Sequence, residues 1–339
     1  LCIAFITLFI GVSTLQAGHY YYKQISLKDG LPSTVRCILT DKQGFVWIGT
    51  RSGLGRYDGH ELKKYIHQAN NPHSIPHNLI YQMIEDAQNN IWILTDKGVA
   101  RYQRQSDDFF IPTDETGNNI IAYSACLTDN GVLFGSKNKI FFYNYQDATF
   151  RLLQTFDLEP NYNVTLLSLW DKRTLLCCSR WQGLLLLDLN TGKCRRPPFD
   201  CGKEIMNVLI DSQKRIWVAP YNGGLNCLTR DGKLLATYTT HNSSLSNNVV
   251  LSLAEREGEI WIGTDGGGIN ILDPETRRFS LLEHMPGSDN YSLPANSILC
   301  LYNDCNNNMW AGSIRNGLIS IREVSMKTVS YTHLRAHET

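Results

Sequence analysis

The 339-residue sequence has no net charge, with 32 lysines and arginines against 32 aspartates and glutamates. It carries no basic stripe and no recognition-helix pattern, which argues against direct nucleic-acid contact. Beyond the first residues, no stretch reaches the roughly 18 apolar residues that cross a bilayer as a helix. Helical periodicity is almost absent. There is no nucleophile-elbow motif, no paired-cysteine zinc motif and no calcium loop. His73 and His77 stand four residues apart, as a zinc-binding pair would on a helix, but Pro72 and Pro76 forbid that helix. Gly266-Gly267-Gly268 lacks the lysine of a phosphate loop and reads as a turn. These absences predict no catalytic residue, no metal site and no cofactor.

The one short apolar run, residues 1–12, gives way to small and polar residues ending at Leu15-Gln16-Ala17-Gly18. Twelve residues are too few to span a bilayer, and the pattern is that of a secretory leader at 1–17, cleaved after Ala17. With neither an initiator methionine nor a basic segment before the apolar run, the true start is expected to lie upstream. Ten cysteines in an exported chain suggest disulfides. Yet Cys37, Cys126, Cys177, Cys178, Cys227 and Cys300 lie inside apolar runs, where a thiol acts as a small hydrophobe. Cys194 and Cys201 flank Pro197-Pro198 and are spaced so that they could pair. Cys37 and Cys300 occupy matching places in the first and last repeats, so a closed ring would make them neighbours, buried as thiols.

What the sequence does have is a repeat. Asp41 through Trp47-Ile48-Gly49-Thr50 recurs as Asp86 to Trp92-Ile93-Leu94-Thr95, Asp211 to Trp217-Val218, Glu255 to Trp261-Ile262-Gly263-Thr264 and Asp304 to Trp310-Ala311-Gly312-Ser313, the acid always six residues before the tryptophan. Two degenerate copies, around Asp129 to Leu133 and Asp171 to Leu176, fill the gap. The spacings are then 45, 41, 43, 41, 44 and 49 residues, the period of propeller blades. Within a copy, 33–40 reads as an inner strand, 45–50 as a second strand, 54–58 as a third and 61–65 as a polar-alternating outer edge. The Asp-Lys-Gln-Gly stretch between the first two is a turn, and turn formation suffices to explain the repeated acid. The fold expected is therefore all-β: one seven-bladed β-propeller of four-stranded antiparallel blades over 20–322. The segment 20–26 resembles an outer strand without its own blade, and is expected to pair with the seventh blade and shut the ring. Trp47, Trp92, Trp217, Trp261 and Trp310 are expected to be structural, buried between blades. The tail at 323–339 fits neither the repeat nor a linker and is set aside as a truncation or artefact.

In such a ring, the loops joining second to third strands share one face with the loops joining blades. Five of those seven loops carry a cation: Arg51, Lys97, Lys137 (with Lys139), Arg180 and Arg315. Trp181 and Tyr221, the latter beside Asn222, add aromatic platforms of the type that stack on sugar rings. Cations converging from separate loops suit an anionic ligand. These eight residues, Lys139 aside, are the candidate ligand-binding set.

Gly30-Leu31-Pro32-Ser33, Asp41 with Trp47-Ile48-Gly49-Thr50, Gly53-Leu54 and Arg56-Tyr57-Asp58-Gly59 together resemble the two-component regulator propeller repeat. Asn248-Val249-Val250, Trp261-Ile262-Gly263-Thr264 and Gly267-Gly268-Ile269-Asn270 resemble it again. The resemblance implies the periplasmic sensor domain of a hybrid two-component histidine kinase anchored in the inner membrane. It further implies an oligosaccharide ligand released from complex polysaccharides, a homodimeric receptor, and downstream domains absent here. It assigns no binding residues. Two other readings stay open: a propeller lyase of the streptogramin type, which would need a histidine base beside a metal-binding carboxylate, and a scaffold for protein partners, which would need an extended apolar patch.

Overall fold

A computed structural model describes residues 20–31, 34–155, 162–200, 202–287 and 292–323. The predicted leader, the tail beyond Glu323 and Cys201, whose spacing would allow a pair with Cys194, lie outside them. The described residues form seven four-stranded antiparallel sheets and a single 3-10 turn, Leu27–Asp29. No described helix is long and apolar enough to cross a membrane.

Each sheet is one blade, and six of the seven are built in chain order from the inner strand outward. The first consists of Val35–Thr40, Val46–Thr50, Leu54–Tyr57 and Leu62–Tyr65, within a residue or two of the expected bounds. Its second strand is buried along its whole length, whereas the outer strand leaves Lys63 and Lys64 exposed. That gradient follows from position, because a middle strand is covered on both faces and an edge strand is not. The turn between the first two strands is fixed by Asp41, whose Oδ1 accepts the backbone N–H groups of Gln43 and Phe45, both at 3.0 Å.

The same aspartate does more than form a turn. Its Oδ2 accepts the indole N–H of Trp47 at 3.0 Å. Asp86 and Trp92 (2.8 Å), Asp211 and Trp217 (2.9 Å), and Asp304 and Trp310 (2.9 Å) repeat the bond. The six-residue spacing thus satisfies a buried donor. Glu255 departs from the pattern: its carboxylate accepts from Ser212, and the Nε1 of Trp261 is buried with no hydrogen-bond partner among the described residues. All five tryptophans are buried, each in an apolar cluster shared with the following blade.

The ring closes as expected. Tyr20–Ile25 pairs antiparallel with Leu318–Glu323, in register from Tyr20 opposite Glu323 to Ile25 opposite Leu318, and supplies the outer strand of the seventh blade. Closure at the inner strands uses side chains that reach the next blade's backbone. Gln82 donates to Ala125 O, Asn207 to Leu251 O, Ser252 to Ile298 O and Cys300 to Val35 O. Cys300 and Cys37 are neighbours, and burial pushes both thiols up, that of Cys37 to about 12. They are therefore unreactive protonated thiols, not a labile pair.

A second tie joins blades 1 and 2 further out. Asp107 accepts hydrogen bonds from Tyr65 and Tyr102, both at 2.6 Å, and pairs with Lys63 and Arg56. Burial opposes its ionisation, but the bonds from Lys63, Tyr102 and Tyr65 and the Arg56 charge outweigh it and hold its pKa at about 2. A pKa lower in the folded than in the unfolded chain stabilises above the unfolded value, and that contribution is lost as pH falls through the folded one. Stability should therefore fall between about pH 4 and pH 2. Asp107→Asn should flatten that part of a melting-temperature profile, and an unchanged acid slope would show that the carboxylate charge is not what joins the blades.

Candidate functional site

The strand order places every loop between second and third strands on the face that also holds the blade-to-blade linkers. Hydrogen bonds lock the two sets together: Gly53 N–H donates to Asn78 O, Asn138 to Tyr162 O, Gly224 to Asn248 O and Gly268 to Asn296 O. The residue before the third strand is left-handed to make this turn. At Gly224 φ is 72°, and a Cβ there would lie 2.1 Å from Tyr238 O, so only glycine fits.

On this face Arg51, Lys97, Lys137, Arg180 and Arg315 are all exposed, as are Lys139 and Asn222. Trp181 and Tyr221 are 63% and 54% exposed, high values for large rings in a chain that buries its other tryptophans. None of the five loop cations takes part in an ion pair among the described residues. Some arginines away from this face are paired: Arg104 with Asp41 and Glu85, Arg215 with Asp211 and Glu275. The structure brings Arg180 and Trp181 directly together, the guanidinium 5.2 Å from the ring centre. Arg315 and Arg51 lie on the adjoining seventh and first blades, while Lys97, Lys137 and Tyr221 follow on blades 2, 3 and 5. The sixth blade contributes Asp265 and three glycines instead.

Beside these loops lies a cluster that the sequence reading missed. In five blades the inner strand carries a bulge near its start, and the residues passed over by the ladder are Arg36, Tyr81, Met206, Leu251 and Leu299. The Arg36 guanidinium sits 5.7 Å from the Tyr81 ring centre, and its Nε is buried without a partner among the described residues. The Tyr81 hydroxyl donates to Asp96 at 2.5 Å, and its ring meets Tyr123 edge-on at 5.3 Å. Burial, then the bond to Asp96, push the Tyr81 hydroxyl well above its ordinary range, so it remains a protonated donor. Arg180 reaches the same ring of positions through Met206, at 3.4 Å from its sulfur. A charged residue inside an apolar inner strand, as in Val35-Arg36-Cys37, was the available clue.

His67 and His284 belong to linkers: their Nδ1 atoms lie 2.8 and 2.9 Å from Ile75 O and Leu293 O. Among the described residues, no group of three or more His, Cys, Asp or Glu is arranged to hold a metal.

The family described as "Two component regulator propeller" matches residues 29–52, 74–97 and 244–266. A 58-residue stretch is 43% identical to Histidine kinase P4 of Formosa agariphila, covering 17% of this chain and 4% of the kinase. The fold superposes on the extracellular domains of two putative hybrid two component systems from B. thetaiotaomicron. One gives a TM-score of 0.74 at 21% identity over 90% of this chain and 42% of that one. The other gives 0.70 at 22% identity, over 89% and 39%. The chain therefore spans about two fifths of those two extracellular domains and a small part of the kinase.

Proposed function

Because this chain belongs to the two component regulator propeller family, we propose that it is the ligand-sensing propeller of a hybrid two-component receptor, exported to the periplasm, and that its ligand is an acidic oligosaccharide. In this reading the chain acts by binding and not by turnover. The receptor is a homodimer held in the inner membrane by parts beyond this chain. One observation carries the ligand class: five exposed cations without carboxylate partners, interleaved with two exposed aromatic rings on one face. A pyranose offers an apolar face to Trp181 or Tyr221, and its carboxylate meets a guanidinium through charge-assisted hydrogen bonds. The distribution over several blades suits an extended ligand better than a monosaccharide.

Titration calorimetry with uronate-containing and neutral oligosaccharides tests this. Each charged hydrogen bond is worth about 1.5–3 kcal/mol, so Arg51→Glu with Arg180→Glu should weaken acidic-ligand binding by at least about a hundredfold. Both side chains are exposed, so the fold should persist. Unchanged affinity in the double variant, or a preference for neutral sugars, would overturn the assignment.

A further inference from the structure

At six of the seven blade boundaries an indole fills the wedge between sheets. Five are the repeated tryptophans. The sixth is Trp170, at the end of the fourth inner strand, which joins Leu176 in the cluster between blades 4 and 5, with the Arg230 guanidinium 5.5 Å from its ring centre. Between blades 3 and 4 the described residues supply none. Cross-strand register identifies what stands there instead. Leu133, opposite Phe142, replaces the pair of Trp47 opposite Arg56. Across the boundary, Leu187, opposite Cys194, replaces the pair of Tyr102 opposite Phe109. Three large rings have become two leucines and a cysteine, and only Phe142 is added in return.

The lost volume is visible. A cavity of about 510 Å³ opens at this boundary, walled by Leu133, Phe142, Leu153, Leu169 and Leu189. Leu153 and Leu169 are 38% and 37% exposed. Thr128, Asn130 and the exposed Asp129 and Lys172 complete the lining. Asp129 follows its inner strand as the indole-accepting aspartates do, but stands four residues before Leu133 where they stand six before the tryptophan, is exposed where they are buried, and makes no hydrogen bond or ion pair with a described residue. The cavity lies on the face of the turns between first and second strands, opposite the loop cations. Its volume falls within the range of about 300–1,000 Å³ typical of small-molecule sites.

We propose that this cavity binds a small aromatic molecule bearing an N–H donor, of the indole class. The ligand ring takes the position that tryptophan holds at the other boundaries, against Leu133 and Phe142, and its N–H meets the Asp129 carboxylate. The apolar walls account for a ring, and the unpartnered carboxylate at the rim for the donor. Lys172 sets the polarity of the opening, so an anionic substituent on the ring is tolerated there.

Calorimetric titration with indole and with 1-methylindole, which lacks the donor, tests the site directly. Indole should bind in the millimolar range or tighter, and 1-methylindole about tenfold more weakly, the worth of one such hydrogen bond. Leu133→Trp should restore the repeat, raise the melting temperature and abolish indole binding. Should that variant fail to fold, Leu169→Trp, at a half-exposed wall position, blocks the same space. Arg51→Glu with Arg180→Glu, on the opposite face, should leave indole binding unchanged. No indole binding at its solubility limit, equal affinity for 1-methylindole, or binding that survives the blocking substitution would each overturn the proposal.

Discussion

Trp47→Ala should lower the unfolding free energy by about 3–5 kcal/mol, a loss of roughly 6–10 °C in melting temperature for a domain of this size. The side chain is fully buried between blades 1 and 2, stacked on Tyr65 with ring centres 6.0 Å apart and edge-on to Tyr102 at 4.7 Å. Burying about 200 Å² of indole is worth up to ~5 kcal/mol at ~25 cal/mol/Å². Truncation forfeits that area and leaves a cavity that the stiff sheets on either side cannot close. The hydrogen bond to Asp41 separates this position from its counterpart in blade 6. Trp47→Phe removes a donor from a buried carboxylate, whereas Trp261→Phe removes an Nε1 that already lacks a partner. The former should therefore cost about 1–2 kcal/mol more than the latter. Denaturant titrations of the four variants measure both effects. Equal costs for the two phenylalanine variants would mean that the aspartate acts on the turn alone.

The second large effect is expected at the join of the ring. Tyr22 and Ile25 project from opposite faces of the closing strand, Tyr22 into the cluster around Trp261 and Ile271, and Ile25 into the cluster around Val35 and Trp310. Both are buried, at 5% and 4% exposure. Because they serve separate clusters, the costs of truncating them should add, to about 5–10 kcal/mol for Tyr22→Ala with Ile25→Ala. That approaches the whole net stability of a typical domain, about 5–15 kcal/mol. The double variant should expose the edge of Leu318–Glu323, melt at least about 10 °C lower and become sensitive to proteolysis near the join. A melt within a few degrees of the parent would show that the ring holds without its closing strand.

These two predictions rest on features of different legibility. The tryptophans could be read from the chain because a blade is a local object, and the closing strand because it is an outer strand left over before the first blade. Its four strands, its turns and its six-residue acid-to-indole spacing all lie within some forty residues and recur. The aspartate's second role was not legible, since a residue already explained by turn chemistry gives no sign that its other oxygen faces an indole. The loop cations were legible as a set, for strand order alone puts their loops on one face. Arg36, Tyr81, Asp96 and Tyr123 were not. They come from neighbouring blades, and a bulge, invisible in a run such as Val35-Arg36-Cys37, decides which inner-strand residue leaves the ladder.

The sequence by itself determined the blade and its count, because both follow from a short pattern repeated and from hydrogen bonds between residues near in the chain; the closing strand, which pairs with the far end of the chain, was legible only as an outer strand without its own blade. The tertiary structure alone decided what lies between blades. The sequence marks Leu133 only as a degenerate repeat. Its consequence, a cavity beside an unpartnered Asp129 where Trp170 rescues the next boundary, exists only once blades 3 and 4 stand side by side. The volume of a wedge is set jointly by two sheets, and no residue of either carries that information alone.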